Sequence, residues 1–274
     1  MPSRRPGSAK SSATGAPRLR RGYFECRYGQ LHVLNAIPSG GGFEEGTPLL
    51  CLHPSPLSGR IFEGFLAVAG IGRSVFAPDL PGFGASDPPS TRGGVTEHAA
   101  ALGDFLDAMR LRHIDLLGQG FGALVAAELA ATRPAQARRL VLVSPPPETV
   151  ETEPQKAPAA DGSHLLEEWR RAAAYSGAGA SPQVVTATLV ERLRNGTQAA
   201  AAAAAERVYP LLPRLAQLSV PLLVLRLRGE VATNNSQGRD LPARARLVEL
   251  PEHGASLFET APEAAARAVE AFLR

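Results

Sequence analysis

The stretch Asp115 to Ala130, DLLGQGFGALVAAELA, leaves the chain few folds to choose from. An apolar run too short for a helix meets glycines at 118, 120 and 122, and a strongly helical segment follows at once. Alternate glycines at such a junction place a sharp turn where a strand and a helix come close together. The junction has two readings. As G-x-G-x-x-A, Gly118 to Ala123 match a dinucleotide-binding fingerprint, whose helix N-terminus faces a pyrophosphate. As G-x-S-x-G, the glycines fill the first, third and fifth positions of a nucleophile turn, and Gly120 stands where the serine would be.

The flanking sequence weighs against the first reading. A dinucleotide site needs an acidic residue about 20 positions further on, yet the next strand, RRLVLVS, ends in Ser144, and the motif follows earlier strands instead of opening the fold. Those earlier segments begin with GYFECRYGQLHVLNAI, which predicts a hairpin turning near Gly29 and Gln30. PLLCLH, SVFAPDL, HIDLLG, RRLVLVS, VPLLVLRL and ARLVELP then read as strands. RIFEGFLAVAGIG, VTEHAAALGDFLDAMRL with Thr96 as its N-cap, ALVAAELAATRP and APEAAARAVEAFLR read as helices between them. Strands that are apolar throughout argue for a parallel sheet covered by helices on both faces.

Residues 148–219 interrupt that alternation with helical patterns and no strand, including the alanine run Ala199 to Ala205, a strong helix former to which no chemistry attaches. The plan is a basic disordered tail at 1–21, a core at 22–147, a helical lid at 148–219 and a return to the core at 220–274. The tail holds Arg4, Arg5, Lys10, Arg18, Arg20 and Arg21; with it set aside, the net charge of +3 becomes slightly acidic. A nucleic-acid footprint on the folded part is therefore not expected. The tail lacks a signal peptide's apolar centre, and no segment reaches the ~20 apolar residues of a membrane span. Cys26 and Cys51 show no metal-ligand spacing, which fits a reducing, cytoplasmic setting without a bound metal. No cofactor is expected; the anticipated partner is a small-molecule ligand, and the oligomeric state is not legible.

LCLHPSP, VFAPDLPGFGASDPP, VPLLVLRLRGE and LVELPEHGASLFETAPEAAARAVEAFL together resemble the α/β-hydrolase family. The likeness covers nearly everything from Gly22 onward except the lid, and Pro-Gly-Phe-Gly-x-Ser-Asp is its most specific part. GYFECRYGQLHV and HPSPLSGRIF look like a branch in which the nucleophile position is often not serine. The resemblance implies an α/β-hydrolase fold, a mostly parallel central sheet flanked by helices with a helical lid insertion, and a pocket at the C-terminal ends of the strands.

It also implies where a Ser-His-Asp triad would fall: on Gly120, on or near Ala232 for the acid, and on Ala255, seven residues before Pro262, for the histidine. None of these can do the triad's work. The backbone donors that hold a developing oxyanion map to Phe121 and Ser55, with His53 kept and Pro54 in place of a glycine. Gly120 would relieve the turn's strain and open space above it for water or ligand. Pro54, Ser55, Gln119, Gly120 and Phe121 are thus the expected substrate-binding residues. His53 and His253, the latter two positions before Ala255, are the candidate bases. Ser55 and Ser58 otherwise read as turn hydroxyls, Asp79 as a brace of its loop, Glu148 and Glu151 as hinge residues, and His32, His98, His113 and His164 as structural or surface groups.

Three functions stay open. The first is a small-molecule binder that is non-catalytic or guides a non-hydrolytic step. The second is a hydrolase or lyase on a small ester or carbonyl substrate with a relocated base and water. The third is a protein-interaction subunit without ligand.

Overall fold

The computed structural model describes residues 16–39, 45–89, 93–146, 158–229 and 241–274. Its strands are β1 (Arg18–Cys26), β2 (Gly29–Ile37), β3 (Gly46–Leu52), β4 (Arg73–Pro78), β5 (Ile114–Gln119), β6 (Ala137–Val143), β7 (Leu222–Leu227) and β8 (Ala245–Leu250). They form one sheet in the order β1-β2-β4-β3-β5-β6-β7-β8. The β1–β2 and β2–β4 pairs are antiparallel and all the others are parallel.

Each central strand sends alternate residues to opposite sides, as the pleat requires. From β3, Leu50 and Leu52 join Leu116, Leu140 and Leu142 under helices α2 (Val95–Ala108) and α3 (Phe121–Thr132). Leu49 and Cys51 join Leu117, Val141 and Val143 under α1 (Glu63–Ala69) and a C-terminal helix, with Phe62, Phe65 and Phe258 packed edge to face between them. This two-sided burial explains why the strands read as continuous apolar runs.

Among the described residues, four helices lie between β6 and β7: α4 (Ser163–Ser176), α5 (Pro182–Arg194), α6 (Gly196–Val208) and α7 (Leu211–Gln217). Two short helices, α8 (Leu257–Thr260) and α9 (Pro262–Leu273), close the chain. Helix α3 is buried from Phe121 to Ala130, and Leu211 and Leu215 of α7 belong to the same core. Its one carboxylate, Glu128, is 2% exposed and accepts from Tyr209 Oη at 2.8 Å and pairs with Arg214 Nε at 2.9 Å. A charge in an otherwise apolar helix is tolerated because the inserted helices bring its partners.

A second tie is neutral. Asn195, between α5 and α6, is 3% exposed; its Nδ2 donates to Pro56 O at 2.9 Å and its Oδ1 accepts from Gly84 N at 2.9 Å. One amide therefore joins the insertion to two core loops.

Three local expectations shift. The β1–β2 turn is Arg27-Tyr28, two residues before the expected place, because Cys26 pairs with Gly29. Gly29 has φ 112°, and the space a Cβ would need is taken by the Asp87 carboxylate, which accepts from Gln30 N at 2.8 Å. Helix α2 is capped at Gly94 rather than Thr96, since Glu97 Oε2 reaches back to the Gly94 amide at 2.9 Å. Strand β1 begins at Arg18, inside the segment read as tail, because Arg18 to Arg21 pair with β2; residues 1–15 lie outside those described. No helix among the described residues is long and apolar enough to cross a membrane.

Asn195→Ala strands a buried carbonyl and a part-buried amide at once. A loss of about 1–3 kcal/mol is expected for each group left unsatisfied, seen as a lower urea midpoint with an unchanged dependence on denaturant.

Candidate functional site

At the end of β5 the backbone of Gly120 takes φ 54°, ψ −124°, and α3 starts at the next residue. Two neighbouring glycines are fixed by proximity. A Cβ on Gly118 would stand 2.2 Å from Gly122 O, and one on Gly122 would stand 2.2 Å from Leu52 O. The turn thus holds the Phe121 amide in the first turn of a helix, where N–H groups have no intrahelical acceptor and the helix dipole favours negative charge.

The room above Gly120 is not open, contrary to expectation. A Cβ there would come within 2.8 Å of Pro54 Cβ. Pro54 in the neighbouring loop fills the volume that a side chain at position 120 would need. Pro54 is buried and Ser55 half-buried, and Pro54 O accepts from Leu57 N at 3.0 Å.

Of the two candidate histidines, His53 is engaged by backbone groups. His53 is fully buried; Leu80 N–H donates to its Nε2 at 2.9 Å, so the ring proton is on Nδ1, which donates to Pro54 O at 3.0 Å. Burial pushes its pKa down, against the pull of nearby Asp79. His53 is a neutral strut between two loops, with neither nitrogen free. His253 is half-buried after β8, with Nε2 3.5 Å from Glu252 Oε1 and its carbonyl accepting from Arg228 N at 2.8 Å.

Asp79 braces its loop as the sequence suggests, accepting from Gly59 N at 2.8 Å, from Ala85 N at 2.9 Å and from the His32 ring at 2.9 Å. Burial works to raise this carboxyl, and those bonds with the His53 ring bring it below its usual range. His98 is buried, edge-on to Phe121 at 5.1 Å between ring centres, with Nδ1 unpartnered among the described residues. Burial, then the nearby His53 ring, push its pKa down to about 3, so it is a neutral core ring. Ser58 is buried and accepts from Arg60 N at 3.4 Å. Ala232, Glu148 and Glu151 lie outside the described residues.

Around Ala255 the structure assembles a group that sequence reasoning missed. Gln119, 2% exposed, donates from Nε2 to Ala255 O at 2.6 Å, tying the turn to the place where a histidine would stand. Its Oε1 is buried without a partner among the described residues. Tyr175 on α4 donates from its hydroxyl to Glu259 Oε2 at 3.2 Å on α8. Ser256 Oγ donates to Ser176 O at 2.8 Å and fastens α4 to the same segment. Burial pushes Glu259 up to about 7, with the Tyr175 bond opposing, while burial and Glu259 push the Tyr175 phenol well up. The only advance signal was the position of Glu259, one helical turn after Ala255.

Among the described residues, the larger cleft, about 710 Å³, lies between the start of α2 and the alanine face of α6 and touches none of these groups. A cavity of about 330 Å³ lies between α5 and the segment from Leu57 to Glu63, with Glu259 on its wall. Arg60, Glu63 and Glu191 share the smaller cavity's wall with Leu57, Ile61, Val184 and Val190. No group of three or more histidine, cysteine or acidic side chains among the described residues could hold a metal ion.

The sequence profile of the alpha/beta hydrolase fold matches residues 47–249. The chain belongs to the alpha/beta hydrolase family. Within it, this hydrolase-fold chain is 39% identical over 90 residues to a haloalkane dehalogenase of Mesorhizobium japonicum, covering 32% of this chain and 29% of that protein. It is 34% identical over 116 residues to a 2-hydroxymuconate semialdehyde hydrolase of a Pseudomonas species, covering 40% and 38%. The alpha/beta hydrolase chain thus matches about a third of the length of these curated relatives. The enol-lactonase of Burkholderia xenovorans has a similar fold, with TM-score 0.73, 18% identity and coverage of 92% of this chain and 99% of that one.

The Pro54 contact has a thermodynamic signature. Gly120→Ala is expected to cost about 1–3 kcal/mol from the positive φ alone, and the Cβ clash adds to it. In a double-mutant cycle with Pro54→Gly, measured by urea unfolding, the pair should couple favourably by more than about 0.5 kcal/mol. Strict additivity would mean that the two residues do not compete for one volume.

Proposed function

We propose that this chain is a hydrolase of small, weakly polar ester or carbonyl compounds, lactones included, that works without a covalent serine intermediate beneath a helical lid. The reading rests on one observation: the turn keeps the backbone geometry of a nucleophile elbow at Gly120, and with it the Phe121 amide, after the side chain has gone. Such a site retains charge stabilisation and orientation, which together account for much of an acyl-transfer enzyme's rate. Water replaces the serine as attacking group. Phe121 N–H and Ser55 N–H would receive the developing oxyanion, and Pro54 and Gln119 would wall the reacting end of the pocket.

The relatives support a hydrolytic reading by their names, a dehalogenase and a semialdehyde hydrolase, and the fold resembles that of an enol-lactonase. His53 is not the base in this reading, since both its nitrogens hold backbone groups. His253, half-buried beside Glu252, is the other candidate base. A non-catalytic binder, or one guiding a rearrangement, is the second reading. It is favoured by Pro54, which closes the space above the turn.

The deciding assay is turnover of p-nitrophenyl acetate, butyrate and octanoate and of an enol lactone, with free imidazole as the background control. The hydrolase is expected to exceed background, and His53→Ala to lose thermal stability along with activity. Background rates with every substrate would favour the non-hydrolytic reading. Loss of activity in a normally stable His253→Ala protein would make that loop histidine the base.

A further inference from the structure

The 330 Å³ cavity between α5 and the segment from Leu57 to Glu63 has a wall of two kinds. Leu57, Ile61, Val184 and Ala187 make an apolar side, while Glu63, Glu191 and Glu259 bring three carboxylates against one guanidinium, that of Arg60. The volume is at the small end of the range for ligand pockets. None of Pro54, Ser55, Gln119, Gly120 and Phe121 lines it, so the cavity is separate from the turn.

The three carboxylates are not equally provided for. Glu63 pairs with Arg21 at 3.3 Å, and Arg21 is not on this wall. Glu191 is 8% exposed; its Oε1 lies 4.0 Å from Arg60, whose side chain is mostly in solvent, and its Oε2 is buried without a partner among the described residues. Glu259 accepts from the Tyr175 hydroxyl at 3.2 Å, its one hydrogen bond among the described residues. A buried carboxylate oxygen with no donor is costly, and a charge out of water needs both a partner and hydrogen bonds. Glu191 and Glu259 together have one phenol and one distant guanidinium. Their side chains are not grouped as metal ligands, so the donor that suits them is an organic N–H group with an apolar body for the rest of the wall.

We propose that this cavity binds a small primary alkylammonium ion, its hydrocarbon chain against Leu57, Ile61, Val184 and Ala187 and its ammonium donating to Glu191 and Glu259. An ammonium has three N–H donors and no acceptor, so one ion serves both carboxylates. Charge-assisted bonds of this kind are the strong ones. Binding here is independent of whether the turn hydrolyses anything. An occupant would join α5 of the insertion to α8 and to the core segment before α1, adding to the ties that Asn195 and Glu128 already make.

Glu259 gives the binding a pH signature. Burial raises it to about 7, with the Tyr175 bond opposing. The other charged or titratable groups around it are Tyr175 from α4, Glu191 from α5, and Arg60 and Glu63 from the core segment, and of these only Arg60 is a cation. A bound ammonium favours the carboxylate form, so affinity is higher above pH 7 than below it. The alkylammonium itself, like a lysine side chain, keeps its proton to about pH 10.

The test is calorimetric titration of the whole chain with n-butylammonium chloride at about pH 6 and about pH 8.5, at constant ionic strength, in the wild type, Glu191→Gln and Glu259→Gln. Butan-1-ol is the neutral isostere and sodium chloride the salt control. The wild type should bind butylammonium saturably and more tightly at the higher pH, with no binding of either control. Glu191→Gln should bind about tenfold or more weakly at both pH values. Glu259→Gln should bind more weakly at the higher pH and lose the dependence on pH. Melting curves show that the variants fold, and butylammonium should raise the melting temperature of the wild type more than that of either variant. Equal binding of butan-1-ol would overturn the proposal by leaving the carboxylates no part in recognition. Wild-type affinity in a folded Glu191→Gln protein would place the ammonium elsewhere, and no saturable binding at either pH would leave the cavity without this ligand.

Discussion

The closeness of α3 to the sheet is the constraint from which the rest of this molecule follows. At Gly122 the helix backbone lies so near Leu52 O that a methyl group would sit 2.2 Å from it, and Gly118 meets Gly122 in the same way. That approach fixes the exit angle of the chain from β5 and puts the helix N-terminus at the mouth of the sheet. It also sinks the helix so deep that every side chain from Phe121 to Ala130 is buried. The inserted helices must then cover its outer side and satisfy Glu128. Site, core and insertion are consequences of one short contact between two backbones.

How the polar groups are used follows from where burial puts them. His53 and Asp79 lie under the loops after β3 and β4 and are spent on holding backbone amides or carbonyls, with the His32 ring of β2 paired to the Asp79 carboxylate. With both its nitrogens committed, the His53 ring shapes the site and does not exchange protons in it. Glu259 is different in kind: among the described residues its carboxylate accepts from a phenol, and burial is the largest influence on it. An ionisable side chain left in that state is expensive to keep, and such expense is commonest where chemistry is done.

The sheet and its helices were legible because two-sided burial writes itself as uninterrupted apolar strands, and the G-x-G-x-G junction marked the tight crossing before any coordinates. What escaped were features set by contacts distant in sequence. The turn at Arg27-Tyr28 depends on Asp87, some sixty residues on, and the cap at Gly94 on a glutamate reaching backward. Pro54 looked like the loss of one amide donor; only the fold shows that its ring stands over Gly120. Glu259 and Tyr175 carry no motif, because their meaning comes from α4 and α8 being brought together by Ser176 and Ser256.

The contact between Pro54 and Gly120 also bears on how such a site changes over time. A serine introduced at 120 would meet a proline ring, and a glycine introduced at 54 would face a turn that has no side chain. Neither single substitution gives an unstrained serine at the turn, and the first lowers stability as well. The two positions form an epistatic lock, so selection acting one substitution at a time would sooner refine the surroundings of Gly120 than arrive at a serine there.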